Sequence, residues 1–377
     1  MLSLPVSTEV FLAEYWQRKP LLIPGGLTAF SPPVSAEELA GLAMEPEAES
    51  RIVVNRNSQW QLHHGPFSAR DFNRDSPWTL LVQRVDHWVP EVADIRREVP
   101  FIPGWRIDDV MVSYANDGGS VGPHFDNYDV FLLQGDGVRR WKIGQYCDEA
   151  EPLLDHPDLL LLAEFRQEDE FVLNCGDILY VPPRVAHWGI AEGDCTTYSI
   201  GFRAPRLADL LSRRTDAALE SLGNATLFKD PVPRPSARPG ELSRSDIEAA
   251  ATQLINALAQ QQSPQWMGEL ITEGIDTEHG PDGAMSDEEA ASLLGNGITS
   301  LTLQPEARVC WTEHEGSLWV FAGGDSLSVS KTHLPLLMEL CDTWTLSPPQ
   351  VEEMQSLEAG PNLLAFLLTR GALDVEA

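Results

Sequence analysis

The chain has 377 residues, 43% hydrophobic and 22% charged, more than one average domain and close to the globular norm. That composition excludes wholesale disorder. Acids outnumber bases 57 to 26, a formal charge of −31, which repels nucleic acid and anionic lipid and attracts basic partners, or serves solubility alone.

The first 95 residues read as mixed. Thr8 to Trp16 has helical spacing in Val10, Phe11, Tyr15 and Trp16, and Pro20–Gly26 reads as a short strand closed by a turn. Ser35 with Glu38 three residues later forms a capping box opening a helix. Arg51–Asn55 reads as a strand, and the apolar stretch Trp78–Trp88 as a candidate helix. From Asp108 the pattern changes to short strand-like runs: Val110–Tyr114, Asp129–Gln134, Arg139–Ile143, Glu170–Asn174, Ile178–Val181 and Thr197–Phe202. Gly118-Gly119, Gly135-Asp136-Gly137 and Cys175-Gly176-Asp177 separate some of them as turns, and this spacing predicts a double-sheet jelly roll.

After Pro205 the chain turns helical over Leu207–Leu222 and Asp246–Leu258. In the second, Ile247, Ala250, Leu254 and Leu258 form one apolar stripe, read either as core packing or as a contact between copies. A Pro-rich connector, Pro231–Gly240, and a linker around Glu278–Gly283 interrupt this part. Beyond Met285 a helix at Asp287–Leu294 precedes strands at Ser300–Leu303, Arg308–Trp311 and Leu318–Phe321, then helices at Leu334–Leu340 and Pro361–Thr369. This small α+β end fits a winged-helix-like unit. The expected class is α+β, with a jelly roll over 1–206, a helical segment over 207–280 and the winged-helix-like unit over 281–377.

Five scattered cysteines, Cys147, Cys175, Cys195, Cys310 and Cys341, fit neither a disulfide framework nor a zinc finger, so a cytoplasmic location is expected. The N-terminus carries no basic, apolar signal pattern, and no stretch reaches the roughly 20 apolar residues of a membrane span.

The chemically dense segment is Gly118-Gly-Ser-Val-Gly-Pro-His124-Phe-Asp126. On a strand, residues two apart share a face, so His124 and Asp126 can grip one cation. His187, 61 residues on (187 − 126) and preceded by Gly-Asp-Ile-Leu-Tyr-Val-Pro-Pro, is the third candidate from a neighbouring strand. Two histidines and a carboxylate on one side of a metal form the facial triad of non-haem Fe(II) oxygenases, with the other positions open. The remaining histidines (His63, His64, His87, His156, His279, His314 and His333) lack such a frame and read as surface or loop residues.

Iron used this way needs an electron donor, and 2-oxoglutarate requires a buried cation for its distal carboxylate. Arg139, sharing a strand face with Trp141 and Ile143, is the candidate; Arg140 shares the other face with Lys142 and is the alternative. Ser113 is a candidate donor to the same carboxylate.

At these residues the chain resembles the JmjC-type 2-oxoglutarate oxygenases, more narrowly the bacterial ribosomal oxygenases that hydroxylate an arginine of large-subunit ribosomal protein sixteen. The matching stretches are Gly118–Gln134, Arg139–Trp141, Gly176–His187, Tyr198–Pro205 and Tyr15–Pro24. The resemblance implies iron at His124, Asp126 and His187, 2-oxoglutarate at Arg139 and Ser113, a basic ribosomal-protein substrate, and a homodimer built on the helical segment. Nucleic-acid and membrane binding are not expected of so acidic a chain. Asp117, an acid near the metal loop, is our own candidate for the substrate guanidinium, against a plain turn role in Asn116-Asp-Gly-Gly119. The competing readings are a JmjC hydroxylase or demethylase acting on another residue, a non-catalytic metal-binding cupin module, and a cupin enzyme with a fourth ligand. For the last, Asp129 and Glu170 are the nearest acids, with unconvincing spacing.

Overall fold

The computed structural model describes residues 2–56, 59–223, 226–230, 239–260, 262–274, 284–295 and 300–375. Two compact units emerge, Met1–Ala204 and Pro205–Ala377. The expected linker at Glu278–Gly283 lies outside the described residues, as do residues 231–238 of the Pro-rich connector.

The first unit begins with α1 (Thr8–Val10), a single π turn at Phe11–Tyr15, β1 (Leu21–Ile23) and α2 (Ala36–Leu42). The capping box of α2 forms as expected: the Glu38 amide donates to the Ser35 hydroxyl and the Ser35 amide to the Glu38 carboxylate. Next come β2 (Ser50–Arg56), β3 (Gln59–His64), β4 (Trp78–Val82) and α3 (Pro90–Ala93). The jelly-roll strands follow: β5 (Ile107–Ala115), β6 (Asp129–Gln134), β7 (Val138–Tyr146), β8 (Gln167–Leu173), β9 (Ile178–Val181), β10 (Val185–Glu192) and β11 (Cys195–Phe202).

Eight strands make one sheet in the order β1-β9-β6-β11-β5-β4-β2-β3, and β10-β7-β8 make the second, with antiparallel pairing throughout. The large sheet is covered on both faces. On its outer face Val110, Val112, Phe131, Leu133, Tyr180, Tyr198 and Phe202 join the N-terminal residues Phe11, Val34 and Leu39 in one apolar cluster. On its inner face Val130, Leu132, Leu179 and Val181 meet Trp141, Ile143 and Leu173 of the small sheet. Period-two alternation sorts each strand between these two cores, which is why β6 is buried at every position.

Trp78–Trp88 is not a helix. Trp78–Val82 is β4, paired to β2 on one side and β5 on the other, followed by a 3-10 turn at Val85–His87. An apolar run buried on both faces carries no alternation, so its period could not reveal it as a strand.

The second unit starts with α4 (Leu207–Ser221), α5 (Arg244–Gln260) and α6 (Gln265–Thr272). It continues with α7 (Asp287–Gly295), β12 (Leu301–Leu303), β13 (Val309–His314), β14 (Ser317–Ala322) and β15 (Asp325–Val329). It ends with α8 (Leu334–Thr343), β16 (Thr345–Leu346), α9 (Pro348–Ser356), α10 (Gly360–Thr369) and β17 (Leu373–Val375). Two small sheets, β16-β12-β17 and β13-β14-β15, pack with α7 to α10 around a leucine-rich core. The apolar stripe of α5 does not enter that core: Ile247 and Leu254 are 55% and 67% exposed. His333, expected at the surface, is fully buried in this unit, where its Nδ1 meets the Ser330 carbonyl at 2.9 Å. The five cysteines are free thiols. Among the described residues no helix is long and apolar enough to cross a membrane.

Candidate metal centre

His124 and Asp126 sit not on a regular strand but on the extended segment between β5 and β6. That segment is stitched to β10 by an antiparallel bridge in which the His124 and His187 amides each donate to the other's carbonyl, at 3.1 and 2.8 Å. The backbone pairing thereby sets the two imidazoles side by side, with ring centroids 4.3 Å apart. Asp126 is held through its carbonyl, which accepts the Arg184 amide at 2.6 Å.

The ligand atoms converge. His187 Nε2 lies 3.5 Å and His124 Nε2 3.9 Å from Asp126 Oδ2, and all three lie within 4.8 Å of one another. The other ring nitrogens are spoken for: His124 Nδ1 is 2.9 Å from the Gly122 carbonyl and His187 Nδ1 is 3.0 Å from the Val185 carbonyl. A carbonyl only accepts, so each Nδ1 carries the proton and each Nε2 presents a lone pair to the shared space. Burial, reinforced by neighbouring His124, pushes the His187 pKa down to about 4, so this imidazole is neutral at pH 7. The donor set of two imidazoles and one carboxyl group suits a divalent first-row metal with open positions.

Arg139 lies inside, as its strand face predicts. Arg139, Trp141 and Ile143 are all at most 5% exposed, whereas Arg140 points outward to Glu170 and Glu192. Arg139 Nη1 donates to Ser113 Oγ at 3.2 Å and to Thr197 Oγ1 at 3.1 Å. Neither partner is charged, Nε has no acceptor, and no carboxylate pairs with it among the described residues. Burial works against its charge and lowers its pKa. A buried guanidinium held by two hydroxyls alone is costly, and a carboxylate brought from outside would offset that cost. The Trp141 ring bridges the two clusters, 5.3 Å from the Arg139 guanidinium and 5.9 Å from the His187 ring. Gly189, opposite Trp141 on β10, makes room: a Cβ there would sit 2.7 Å from the indole and 3.0 Å from Arg139 Nε.

Thr197 was not singled out from sequence. It faces Ser113 across the β5–β11 pair, a relation that only strand register reveals. The same inner face of β5 carries Met111 and Asp109, since residues two apart share a face with Ser113. Burial, together with Asp86 and Asp108, raises the Asp109 pKa to about 6. Desolvation of the hydroxyl, with the charges of Asp126 and Asp109 nearby, raises the pKa of Tyr128, whose side chain as a whole is exposed. Asp117 is exposed, outside the cluster, with Oδ1 accepting the Gly193 amide at 2.8 Å. Asp129 accepts from Tyr180 and Gln17, and Glu170 pairs with Arg140, so neither joins the metal cluster.

Residues 94–210 match the JmjC domain model, and residues 253–374 match the ROXA-like winged helix model. The chain is 39% identical to the ribosomal protein uL16 3-hydroxylase of Escherichia coli, over 70% of each chain. It is 32% identical to a probable ribosomal oxygenase of Haemophilus influenzae, over 85% of this chain and 82% of the relative. The crystal structure of E. coli ycfD superposes with a TM-score of 0.82 at 32% identity, covering both chains completely. The same ribosomal oxygenase in complex with cobalt and 2-oxoglutarate gives 0.81, again over both full chains. The chain belongs to the ribosomal oxygenases, a cupin-like JmjC core followed by a ROXA-like winged helix.

Proposed function

We propose that this protein is an Fe(II)- and 2-oxoglutarate-dependent hydroxylase of a large-subunit ribosomal protein, acting on an arginine. His124, Asp126 and His187 would hold the iron, and Arg139, Ser113 and Thr197 the distal carboxylate of 2-oxoglutarate. The observation that carries this reading is the buried Arg139, charged, without a carboxylate, and joined to the His-Asp-His cluster through Trp141. A purely structural metal site has no use for such an anchor, which argues against the non-catalytic cupin module. Relatives support it too: the E. coli enzyme is named a uL16 3-hydroxylase, and its structure takes up cobalt with 2-oxoglutarate.

When bound, iron and 2-oxoglutarate supply the oxidising chemistry, with succinate and carbon dioxide as products. The chain's own residues orient and exclude. The two Nδ1–carbonyl bonds fix the imidazole tautomers, so the metal-facing nitrogens need no deprotonation. Trp141 walls the pocket against water between anchor and metal.

For the substrate guanidinium we favour Asp109 over Asp117. Asp109 shares the inner face with Ser113 and is electrostatically coupled to Tyr128 beside the metal cluster, whereas Asp117 is engaged by Gly193. A cation arriving at Asp109 would restore its charge and pair bidentately. The exposed stripe of α5 supports a homodimer formed through the helical segment, since lone chains rarely leave such residues in water together. A cytoplasmic location and the absence of nucleic-acid binding follow from the substrate and from the acidic charge.

The test is succinate formation from 2-oxoglutarate with Fe(II), with and without uL16, together with mass spectrometry of the product. Stimulated turnover with one oxygen added to an arginine supports the reading. Oxygen added to another residue keeps the oxygenase and discards the target; no turnover with iron bound discards both.

A further inference from the structure

The segment between β7 and β8, Cys147–Arg166, carries chemistry that iron and 2-oxoglutarate binding do not use. It folds back on itself as a small hairpin. Leu153 bridges Leu162, the Leu154 amide donates to the Leu161 carbonyl at 2.8 Å, and the Ala163 amide to the Pro152 carbonyl at 2.9 Å. His156 staples the tip. Its Nδ1 accepts the amides of Asp158 and Leu159 at 3.1 and 2.9 Å, so its Nε2 carries the proton and reaches the Trp60 carbonyl at 3.3 Å.

This hairpin is braced against each strand of chain that bears a candidate metal ligand. The Leu162 amide donates to the carbonyl of Pro123, next to His124, at 2.9 Å. Phe165 packs edge-on against Trp188, next to His187, with centroids 5.9 Å apart. At the hairpin's base the Cys147 amide donates to Arg184, whose own amide donates to Asp126. A loop held at three points beside one site is placed, not free.

What it presents outward is apolar and acidic together. Leu160 is 74% exposed, and Leu153 and Leu154 are 41% exposed. Between Cys147 and Arg166 stand six acids and one arginine, and among the described residues Asp155 and Asp158 make no ion pair. Leucines kept in water beside unpaired carboxylates, on a loop fixed at the rim of a site, match a partner that is itself apolar and basic.

We propose that this hairpin is the docking surface for the segment of the basic protein substrate that flanks the hydroxylated residue. The leucines take its apolar side chains, and Asp155 and Asp158 its lysines or arginines. The proposal rests on the protein-hydroxylase reading and adds which surface of that enzyme receives the substrate beyond the reacting residue. Because the surface contacts substrate away from the reacting atoms, it governs KM and leaves kcat alone.

The experiment compares the full-length enzyme with the variants L154S/L160S and D155N/D158N, all at exposed positions. Each is assayed with intact uL16 and with a short peptide carrying little more than the target residue; 2-oxoglutarate affinity is measured separately by calorimetry on the Mn(II)-loaded protein. We expect L154S/L160S to raise KM for intact uL16 about tenfold, with kcat, 2-oxoglutarate affinity and the short-peptide KM unchanged. D155N/D158N should slow capture of uL16 at low salt and match the parent at high salt. An unchanged KM for intact uL16 in both variants overturns the proposal. So does a KM that rises equally for the short peptide, or an L154S/L160S variant whose altered property is its sedimentation rather than its KM, which would assign the face to self-association. Parent enzyme that hydroxylates neither substrate fails the underlying reading instead, a result visible before any variant is made.

Discussion

The two units spend their interiors differently. The inner face of the jelly roll buries Ser113, Gln134, Arg139, His187, Thr197 and Ser199, polar groups that a folding chain would sooner leave in water. The second unit buries leucines: Leu336, Leu337, Leu340, Leu363, Leu364, Leu367 and Leu368 form most of its centre, with Thr272 and His333 as its buried polar side chains among the described residues. One interior is organised for a ligand and tolerates unsatisfied atoms such as Arg139 Nε and Trp141 Nε1. The other is organised for stability. Incomplete partners alone do not separate the two units, since Thr302 Oγ1 and His333 Nε2 of the second also lack a hydrogen-bond partner; the density of buried polar side chains on the inner face does.

That contrast can be broken most sharply at the metal cluster. Asp126→Ala should lower turnover by on the order of 1000-fold while the thermal midpoint of the metal-free protein moves little; normal turnover would sink the assignment. In the leucine core the effect should invert. Leu364→Ala should cost about 2–5 kcal/mol of stability in denaturant titration, with 2-oxoglutarate affinity per folded molecule retained.

Arg139→Met separates the two currencies within a single residue. Removing a buried, uncompensated charge should leave the cosubstrate-free protein as stable as before or more so. It should also weaken 2-oxoglutarate binding by about 10- to 100-fold, the loss of a charge-assisted fork. Calorimetric titration alongside thermal melts reads both, and parallel losses would mean Arg139 is structural. Gly189→Ala should push on the indole and on Arg139, weakening 2-oxoglutarate by about tenfold; unchanged affinity would mean the strands can part at no cost.

The smallest effect concerns Asp109. Its folded pKa, about 6, stands above the ordinary 3.8, because burial and Asp86 disfavour the charge. A raised acid contributes stability that is fully present below pH 3.8 and is lost as pH rises through 6. Asp109→Asn should therefore gain on the order of 1 kcal/mol at pH 8 and nothing at pH 4, since the amide oxygen can still accept from Gln83 and Arg84. Melting curves at the two pH values check it. If Asp109 receives the substrate guanidinium, the same variant should raise KM for uL16.

Much of this was legible in the linear chain. The His-x-Asp pair, the frame leading to His187 and the inward face of Arg139 all rest on short-range relations: spacing of two, or of a hairpin return. Asp117 was drawn in by proximity in sequence to the metal loop, and its Oδ1 accepts the Gly193 amide, a partner 76 residues on that no local pattern announces. Trp78–Val82 was misread because a strand covered on both faces shows no period, and β10, which carries His187, went unmarked because Pro182-Pro183 and Gly189 mask its pattern.

The sequence by itself determined the class of chemistry, because a His-x-Asp pair, a framed histidine and an inward-facing arginine make a rare combination. It also determined the order of jelly roll, helices and α+β end, because period and punctuation change along the chain. Only the tertiary structure decided which groups meet on the inner face. Thr197 reaches Arg139 through the β5–β11 register, and Gly189 makes room for Trp141 across β7–β10. Such pairings join residues far apart in sequence, and which strands meet is fixed by the packing of two sheets and not by any local preference.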